Sequence, residues 1–543
     1  MSQASPILTR VRALLRRPPG SMLIPVVALL WLIWLIRAHN ALQMPIFVDE
    51  SLHIMRGQVV WQFSDLGESL TPKKLLYYYW IGLFGLNAPE SAWLARTATA
   101  LIALPGAALT FALARHLFDR RAGLLALLLY TLAPFLVFFE RLALADAFTA
   151  TLGTAVLLAG LALARRPSIW RGALAGALVG LAVLAKLSAL PLIALPVLAI
   201  ALYGHPPGTH LTPGQAIRAP LVPRYRRPLL AGALAGALIL APSLVYITAQ
   251  EISGDRARVV VEESLYTTDD RLAQITDNAG RAFRAALTLL GPELIALGGA
   301  LTAYLAWRRP RALTYLLAGT ALPWAGMIGV SAAFSTRYLV PGIPPLLVLI
   351  AGGAVDAARW VARHRGGEIE PNWKPVSRLY WITWIALALW MFSFAVPFIR
   401  DAFNNPTRLS LPERDRWEYF THSSSGYGLR DLAADLPRLE PGPDGQIIVI
   451  GFLPNCHSLP LYWTRPNPID LDCPLFKWDT TRQDEMYNYL VGRVSIEPII
   501  YMAVDQTGAF DVRRLPFEWT LLDEYPRPFD GKTVQLFRVS LSN

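Results

Sequence analysis

Residues 21–50 read SMLIPVVALLWLIWLIRAHNALQMPIFVDE, an apolar run that ends in an arginine and is followed by the acidic pair Asp49-Glu50. A helix needs about 20 apolar residues to cross the ~30 Å hydrocarbon core of a bilayer. Similar runs rich in Leu, Ala and Val recur as far as residue 397. The pattern predicts a membrane protein with many spans, in which Asp49-Glu50 follows the first span.

The composition agrees with this interpretation. The chain has 543 residues, 54% hydrophobic and 16% charged, with a mean hydropathy of +0.38. Average soluble domains have roughly 45–50% apolar and about 25% charged residues, which argues against a soluble or disordered protein. The 42 prolines and a polar last quarter indicate that the chain is not embedded throughout. The net charge of +11 by itself fits nucleic acid, anionic lipid or membrane topology.

Eleven segments are predicted to span the membrane, and the first is interpreted as a retained span because no small-x-small cleavage site follows it. The predicted spans are 21–38, 96–116, 122–139, 146–163, 172–185, 188–204, 229–249, 285–306, 312–331, 338–357 and 379–397.

The loops alternate in charge along the chain. Loops on the side of the N-terminus are rich in arginine, for example Arg165-Arg166, whereas the opposite loops mix signs. The positive-inside rule therefore predicts a cytoplasmic N-terminus. An odd number of spans then places the tail outside. The predicted organisation is a membrane region over 1–399, with outer loops 39–95 and 250–284, and an extracytoplasmic domain over 400–543.

That tail is typical of a small α/β domain. Strands are predicted at 446–452, 499–504, 519–525 and 533–539, and helices at 429–436 and 484–491. The two cysteines of the chain, Cys456 and Cys473, both lie here, with no zinc-binding spacing. In an extracytoplasmic compartment a disulfide closing this loop would add about 3 kcal/mol; the alternative is two free thiols. The domain is expected to cap a cavity or to help select an acceptor.

Ionisable residues gather at one end of the predicted spans. A charged group inside a bilayer costs at least about 2.5–3.5 kcal/mol and is usually retained for a site. Their common side predicts one outward-facing cavity of mixed charge, the alternative being that each snorkels to the interface. The residues are Asp49, Glu50, Glu140, Arg141, Asp146, Lys186 and Arg337.

With these residues in this order, the sequence resembles the GT-C glycosyltransferases of family 39, which include protein O-mannosyltransferases and the aminoarabinose transferases that modify lipid A. The resemblance covers most of the membrane region. Where the family commonly reads Lys-Pro-Pro-Leu or His-Pro-Pro-Leu, this chain has Lys73-Lys74-Leu75-Leu76, so either lysine is a candidate. The other marks are Val48-Asp49-Glu50, Arg120-Arg121-Ala-Gly-Leu-Leu, Glu140-Arg141-Leu-Ala-Leu-Ala-Asp146, Gly180-Leu-Ala-Val-Leu-Ala-Lys186 and Arg337-Tyr338-Leu-Val-Pro341.

The resemblance implies transfer of a sugar from a polyprenyl-phosphate donor to an acceptor hydroxyl, with inversion, on the exoplasmic face. The acceptor is a lipid, a glycan or a protein. Asp49 is the candidate general base, because an alcohol needs a carboxylate to take its proton. Cations stabilise the phosphate as its charge grows in the transition state. The candidates for that role are Arg141 first, Lys73 or Lys74 second, and then Lys186 and Arg337.

The remaining acids have supporting roles in this hypothesis. Glu50 is expected to orient the acceptor or to hold Arg141, and Asp146 to bind a sugar hydroxyl or to pair with a cation. Alternatively, Asp49, Glu140 and Asp146 supply hard oxygen ligands to a divalent cation. His53, four residues after Asp49, is either a ligand or an ordinary interfacial histidine.

The main alternative function is a transporter or lipid-linked-sugar flippase. Transporters of this kind have repeat symmetry and charges at the bilayer midplane. The sequence has no evident repeat, and the absence of a GxxxxGK[ST] loop argues against an ATP-driven pump. The Arg-, Ala-, Leu- and Pro-rich composition favours the inner membrane of a GC-rich bacterium. The predicted partners are a polyprenyl-phosphate-linked sugar, its acceptor and the bilayer, without nucleic acid.

Overall fold

The computed structural model combines a bundle of apolar helices with a C-terminal mixed sheet. The residues that it describes are 22–64, 69–70, 74–87, 90–205, 212–252, 270–332, 334–364, 378–463, 467–474, 483–497, 499–506, 515–529 and 532–541.

The α-helices are numbered in chain order. They are α1 (Leu23–Ala38), α2 (Val48–Val59), α3 (Leu75–Gly82), α4 (Ser91–Leu117), α5 (Arg120–Leu132), α6 (Pro134–Phe139), α7 (Asp146–Arg165), α8 (Ile169–Ala185), α9 (Ala194–Tyr203), α10 (Pro213–Arg218), α11 (Pro223–Ile252), α12 (Arg271–Leu290), α13 (Pro292–Arg308), α14 (Pro310–Val330), α15 (Ile343–His364), α16 (Arg378–Trp390), α17 (Val396–Asn404), α18 (Glu413–Arg416), α19 (Leu429–Asp435) and α20 (Gln483–Ile496).

The predicted multi-pass architecture is confirmed, and each of the eleven predicted segments falls largely on one or two of these helices, the segments 188–204 and 338–357 beginning on the 3-10 helices Leu187–Ile193 and Thr336–Gly342. Among the described residues, six helices are long and apolar enough to cross a membrane, or seven if one bent pair is a single span. The six are α4, α7, Pro223–Ala249, α14, Thr336–Val361 and Thr383–Asn404. The count is below eleven because α1, α8 and Leu187–Tyr203 are shorter, and because Pro134 separates α5 from α6.

The predicted span 285–306 differs from the structure, which breaks it at Gly291. Helices α12 and α13 meet there at 110°. Gly291 has φ +82°, a left-handed conformation that glycine adopts without steric cost, and Pro292 is well suited to the first turn of the next helix. The indole of Trp390 donates a hydrogen bond to the carbonyl of Leu290 at 2.6 Å. The break is therefore a defined bend, which a residue of α16 stabilises.

Close packing between α8 and α11 fixes the helix that ends beside Lys186. A Cβ on Gly172 or Gly176 would collide with the backbone of Pro228 or Gly232. Small residues let membrane helices approach closely, which is how such pairs associate without a hydrophobic driving force. The end of α8 is thereby held rigidly.

The C-terminal region forms a five-stranded sheet in the order β2-β1-β3-β5-β4. Strand β1 is parallel to β2 and β3, and β5 is antiparallel to β3 and β4. Apolar side chains alternate between its two faces, so that α20 packs on one face and α19 on the other. The strands are β1 (Ile447–Phe452), β2 (Ile469–Asp472), β3 (Ile500–Asp505), β4 (Phe517–Pro526) and β5 (Thr533–Leu541).

The fold class predicted from the sequence, an α-helical membrane protein with a C-terminal α/β domain, is confirmed. The short strand β2 was not predicted. Cys456 and Cys473 form a disulfide, the pair expected from the sequence. The bond joins the loop after β1 to the residue that follows β2, so it ties the end strand of the sheet to the domain's interior.

Candidate functional site

Asp49 lies in the first turn of α2, a position that the local sequence determines. The side chain of Glu50 accepts a hydrogen bond from the backbone N–H of Phe47 at 3.0 Å and so closes the start of the helix. Two acids in the first turn also interact favourably with the helix dipole. The helix therefore begins at Val48, directly after an extended Phe47.

Two cations contact the Asp49 carboxylate. Its Oδ2 lies 2.7 Å from NH1 of Arg337 and 3.4 Å from Nζ of Lys74. Burial alone would raise the pKa of Asp49, but the charges of Arg337 and Lys74 hold it well below its usual range. Asp49 is thus an ionised carboxylate, one quarter exposed, between two positive groups.

Lys74 occupies an unusual backbone position just before α3. Its φ of +62° lies in the left-handed region, which costs a non-glycine residue of order 1 kcal/mol or more and is most often found at functional sites. This conformation accompanies a 2.8 Å hydrogen bond from its ammonium to Nε2 of His53. The Nδ1 of His53 lies 2.8 Å from the carbonyl of Ala143, which makes it the protonated nitrogen. Burial and the charge of Lys74 lower the pKa of His53, so the ring is neutral.

A second ion pair lies on the far side of Arg337. Lys186, directly after α8, pairs with Asp146 at the start of α7. The Lys186 ammonium lies 4.5 Å from the centre of the Tyr338 ring, and the guanidinium carbon of Arg337 lies 5.8 Å from the same ring. Lys186 and Asp146 are also close enough to Lys74 to influence its pKa, which burial lowers. The two ion pairs therefore belong to one group.

We call this group the charged cluster. It has three cations and two carboxylates, and so one excess positive charge when the histidine is neutral. A carboxylate that can accept a proton thus stands beside cations that can hold an anion. Its members are Asp49, His53, Lys74, Asp146, Lys186 and Arg337.

Glu50 does not belong to the charged cluster, and the expectation that it holds Arg141 is wrong because it pairs with Arg96; that it orients an acceptor stays a prediction. Its carboxylate accepts hydrogen bonds from Nε and NH2 of Arg96 at 2.8 and 2.6 Å, and from the backbone N–H of Ala143 at 2.7 Å. Both side chains are buried. Because these donors occupy the Glu50 oxygens, the residue links α2 to α4.

The structure also separates Arg141 from Asp49. Its guanidinium donates to the carbonyls of Ile36 at 2.6 Å and Asn40 at 3.0 Å, and lies over the ring of Phe403. These contacts join the end of α1 to α17. Arg141, the first candidate for the donor phosphate, therefore has both terminal nitrogens hydrogen-bonded to backbone oxygens.

Glu140 is buried in a separate ion pair. Nε of Arg37 lies 2.9 Å from its carboxylate, which also accepts a hydrogen bond from the hydroxyl of Tyr130. The proposed metal set of Asp49, Glu140 and Asp146 is not assembled, because each carboxylate pairs with a different cation. No group of three His, Cys, Asp or Glu suited to a metal occurs in the described part of the chain. Lys73 lies outside the described residues, and of the two candidate lysines Lys74 is in the cluster.

Comparison with known proteins identifies the fold. Residues 73–213 match the family described as dolichyl-phosphate-mannose-protein mannosyltransferase. This stretch contains Lys74, Asp146 and Lys186, whereas Asp49 and Arg337 lie outside it. Among curated proteins, none matches the sequence.

Solved structures resemble the whole chain. ArnT from Cupriavidus metallidurans, in a crystal structure with bound undecaprenyl phosphate, aligns with a TM-score of 0.55 and 17% identity over 96% of this chain and 98% of that one. The chain has the GT-C glycosyltransferase fold. The archaeal oligosaccharyltransferase AglB from Archaeoglobus fulgidus, in complex with an inhibitory peptide and a dolichol-phosphate, aligns with a TM-score of 0.52 and 12% identity over 89% of this chain and 69% of its own. The resemblance inferred from the sequence is confirmed, and neither comparison supports the transporter alternative.

The sequence reasoning missed two buried arginines that pair with candidate acids, Arg96 with Glu50 and Arg37 with Glu140. Arg96 lies inside an apolar span, where a charge is costly without a partner, and that position was the available signal. Arg37, at the end of α1, gave the same signal. Their partners could not be assigned, because pairing depends on how helices far apart in sequence pack together.

Proposed function

We propose that this protein is a membrane glycosyltransferase. It moves a sugar from a polyprenyl-phosphate donor to the hydroxyl group of an acceptor that binds next to Asp49. The observation that carries the proposal is the Asp49 carboxylate lying between Arg337 and Lys74. A base and a bound anion must be neighbours in this reaction, because the attacked carbon carries the phosphate.

The proposed reaction is a single displacement. The acceptor oxygen attacks the anomeric carbon, Asp49 takes the hydroxyl proton, and the bond from that carbon to the phosphate oxygen breaks. The leaving phosphodiester becomes a monoester with more negative charge, which Arg337 and Lys74 stabilise more strongly than the ground state. Attack from the face opposite the leaving group inverts the anomeric configuration.

Donor binding also prepares the base. With the phosphate absent, Arg337 and Lys74 hold the pKa of Asp49 well below its usual range, although burial raises it. A phosphate bound to these cations offsets their charge and lets the pKa of Asp49 rise. Asp49 becomes a stronger base only when the donor is in place.

Arg337 is the principal phosphate ligand in this proposal, and it takes the role first expected of Arg141. Its NH1 contacts Asp49, whereas Nε has no hydrogen-bond partner among the described residues. A guanidinium offers paired donors that match a phosphate, and a lysine such as Lys74 adds a point charge. Lys186, held by Asp146, supplies further positive potential.

The proposal includes a location. The positive-inside pattern supports a multi-pass inner-membrane protein with a cytoplasmic N-terminus. The charged cluster and the C-terminal domain then face the extracytoplasmic side, where a disulfide persists. A reporter fused after Asn543 tests this orientation, and a cytoplasmic signal would contradict it.

Transfer is tested with purified protein in lipid nanodiscs and a panel of radiolabelled undecaprenyl-phosphate-linked hexoses and pentoses. Glycolipids, Ser/Thr peptides and oligosaccharides serve as acceptors. We expect Asp49→Asn to lower kcat by about 10²–10⁴-fold, the usual contribution of a general base, while donor binding is retained.

Asp277→Asn is the matched control, because this carboxylate is about half exposed in a pair with Arg281 on the surface of α12. It is expected to transfer at the wild-type rate. Equal rates for Asp49→Asn and wild type would remove the proposed base. Failure of the wild type to transfer any sugar of the panel would contradict the proposed function.

A further inference from the structure

A group of buried polar atoms next to Arg337 takes no part in the mechanism above. They lie on the segment that enters α15 and on the segment that follows α17. Within the described part of the chain, none of these atoms has a hydrogen-bond partner of good geometry, although the hydroxyls of Thr336 and Ser335 lie near the carboxylates of Asp415 and Glu418. The atoms are Oγ of Ser335, both carboxylate oxygens of Asp415, Oε2 of Glu418 and the hydroxyl of Tyr419.

Asp415 and Tyr419 are deeply buried, and Glu418 is partly buried. Asp415 is 0% exposed and Tyr419 2%. Native proteins pair the great majority of their buried polar atoms, because an unpaired one loses its water without replacement. Several such atoms in one place point to a polar partner that the described residues do not supply.

The backbone here is irregular in a way that supports a functional role. After the single turn of α18, residues Trp417–Thr421 form a π-helical turn that carries Glu418 and Tyr419. Such turns are rare and occur frequently at functional sites.

The group adjoins the proposed base. The ring of Tyr419 packs against Phe47 with 4.6 Å between centroids, and Phe47 is the residue before α2. The guanidinium carbon of Arg337 lies 5.7 Å from the same Phe47 ring. The negative charge of Asp49 contributes to raising the pKa of Glu418 and of Tyr419. A ligand here is therefore within reach of the charged cluster.

The chemistry of the atoms selects the ligand. A carboxyl group accepts hydrogen bonds and, when protonated, also donates one, and hydroxyls both accept and donate. The partner must bring several donors on one small framework, as a sugar ring does. We propose that Asp415, Glu418 and Tyr419 form a pocket that binds hydroxyl groups of a sugar at the Asp49 site. This inference rests on the proposed function and adds a specificity-determining element to it.

The test combines protein variants with deoxy substrates. Transfer is measured with the undecaprenyl-phosphate sugar that the wild type uses, and with analogues of it that each lack one ring hydroxyl. We expect removal of the recognised hydroxyl to lower kcat/KM by about 10–100-fold in the wild type, the range for hydrogen bonds to charged groups. In Asp415→Asn or Glu418→Gln the same removal should cost less than 3-fold, because the partner is already lost.

The same series with deoxy acceptors decides whose sugar occupies the pocket. If the variants lose less than the wild type with the deoxy donors, the pocket binds the donor ring. If they lose less with the deoxy acceptors, it binds an acceptor glycan. We call this smaller loss coupling, and either result supports the proposal. Equal losses in variant and wild type throughout both series would overturn it.

Two further variants keep the test decisive. Tyr419→Phe removes only the unpaired hydroxyl and is expected to fold normally, so it serves if Asp415→Asn does not accumulate. Glu413→Gln changes an exposed carboxylate of the same segment and should behave as the wild type. A wild type that transfers no sugar contradicts the proposed function, whereas a transferring wild type without coupling contradicts the pocket alone.

Discussion

Asn455, in the C-terminal domain, donates a 2.8 Å hydrogen bond from Nδ2 to the carbonyl of Ile46, two residues before the helix that carries Asp49. Its Oδ1 accepts a second bond from the hydroxyl of Ser51 at 3.0 Å, and Asn455 is fully buried. The hydroxyl of Tyr462 accepts a bond from the Ile46 N–H at 2.7 Å. The domain therefore holds the start of α2 from outside the helix bundle.

Replacing Asn455 is predicted to reduce activity although the residue touches no substrate. Asn455→Ala leaves the Ile46 carbonyl without its hydrogen bond, which costs about 1–3 kcal/mol, and removes one of the two acceptors of the Ser51 hydroxyl. We expect a fall in kcat of about 10-fold or more with little change in KM, because α2 no longer holds Asp49 rigidly. Transfer kinetics at varied substrate concentrations measure kcat and KM separately. Gln446→Ala, at an exposed position of the same domain, is the control, and an unchanged kcat in Asn455→Ala would refute this role.

Arg337 is predicted to set the acid limit of activity. Asp49 must be ionised to act as a base, so the rate is lost as the pH falls through its pKa. Arg337 is the strongest influence that lowers the pKa of Asp49 against its burial. Arg337→Gln therefore raises that pKa, and we expect the acid limb of kcat/KM to move up by about one pH unit or more.

The conservative variant separates charge from packing. Arg337→Lys keeps a cation beside Asp49, so its acid limb should stay near that of the wild type, whatever the loss in rate. If the acid limb of kcat/KM is the same in Arg337→Gln and in the wild type, Arg337 does not control the pKa of Asp49.

Asp415 is predicted to make the fold less stable as the pH rises. Burial, only partly offset by the neighbouring Thr336 hydroxyl, raises the pKa of Asp415 to about 7, against about 4 in an unfolded chain. Between these values the folded protein holds a proton that the unfolded chain has released. Stability is therefore lost as the pH rises from about 4 to about 7, by at most about 4 kcal/mol.

The corresponding experiment compares thermal unfolding of the wild type and Asp415→Asn in detergent. From pH 5 to pH 8 the melting temperature of the wild type should fall relative to that of the variant, because asparagine does not titrate. A difference that is constant over this range would show that Asp415 is not protonated in the folded state.

Glu50 and Arg96 are predicted to matter for folding more than for chemistry. Arg96→Met leaves the buried Glu50 carboxylate without its cation, which typically costs 3–5 kcal/mol. The double variant with Glu50→Gln should recover part of this loss, because no buried charge remains. Thermal stability of the single and double variants measures the coupling, and additive losses would contradict it.

The sequence predicted the spans and the charged residues at their ends, because the bilayer imposes a strong requirement on both. It did not predict which charges meet. Glu50 pairs with Arg96 and not with Arg141, since the choice depends on how α2, α4 and the end of α1 pack. Asp415 and Glu418 lie in a polar segment, where acids look like ordinary surface residues. Only the fold shows that they are buried beside Arg337.

Asn455 and Ile46 are 409 positions apart along the chain, which has a consequence for biosynthesis. Ribosomes synthesise the N-terminal part of the chain first, so α2 exists long before the residues that brace it. In the proposed orientation, the Cys456–Cys473 bond, next to Asn455, forms only after the last domain has been exported. Newly inserted chains are therefore expected to be inactive until export, folding and oxidation of that domain are complete, so that unfinished protein does not consume the proposed donor.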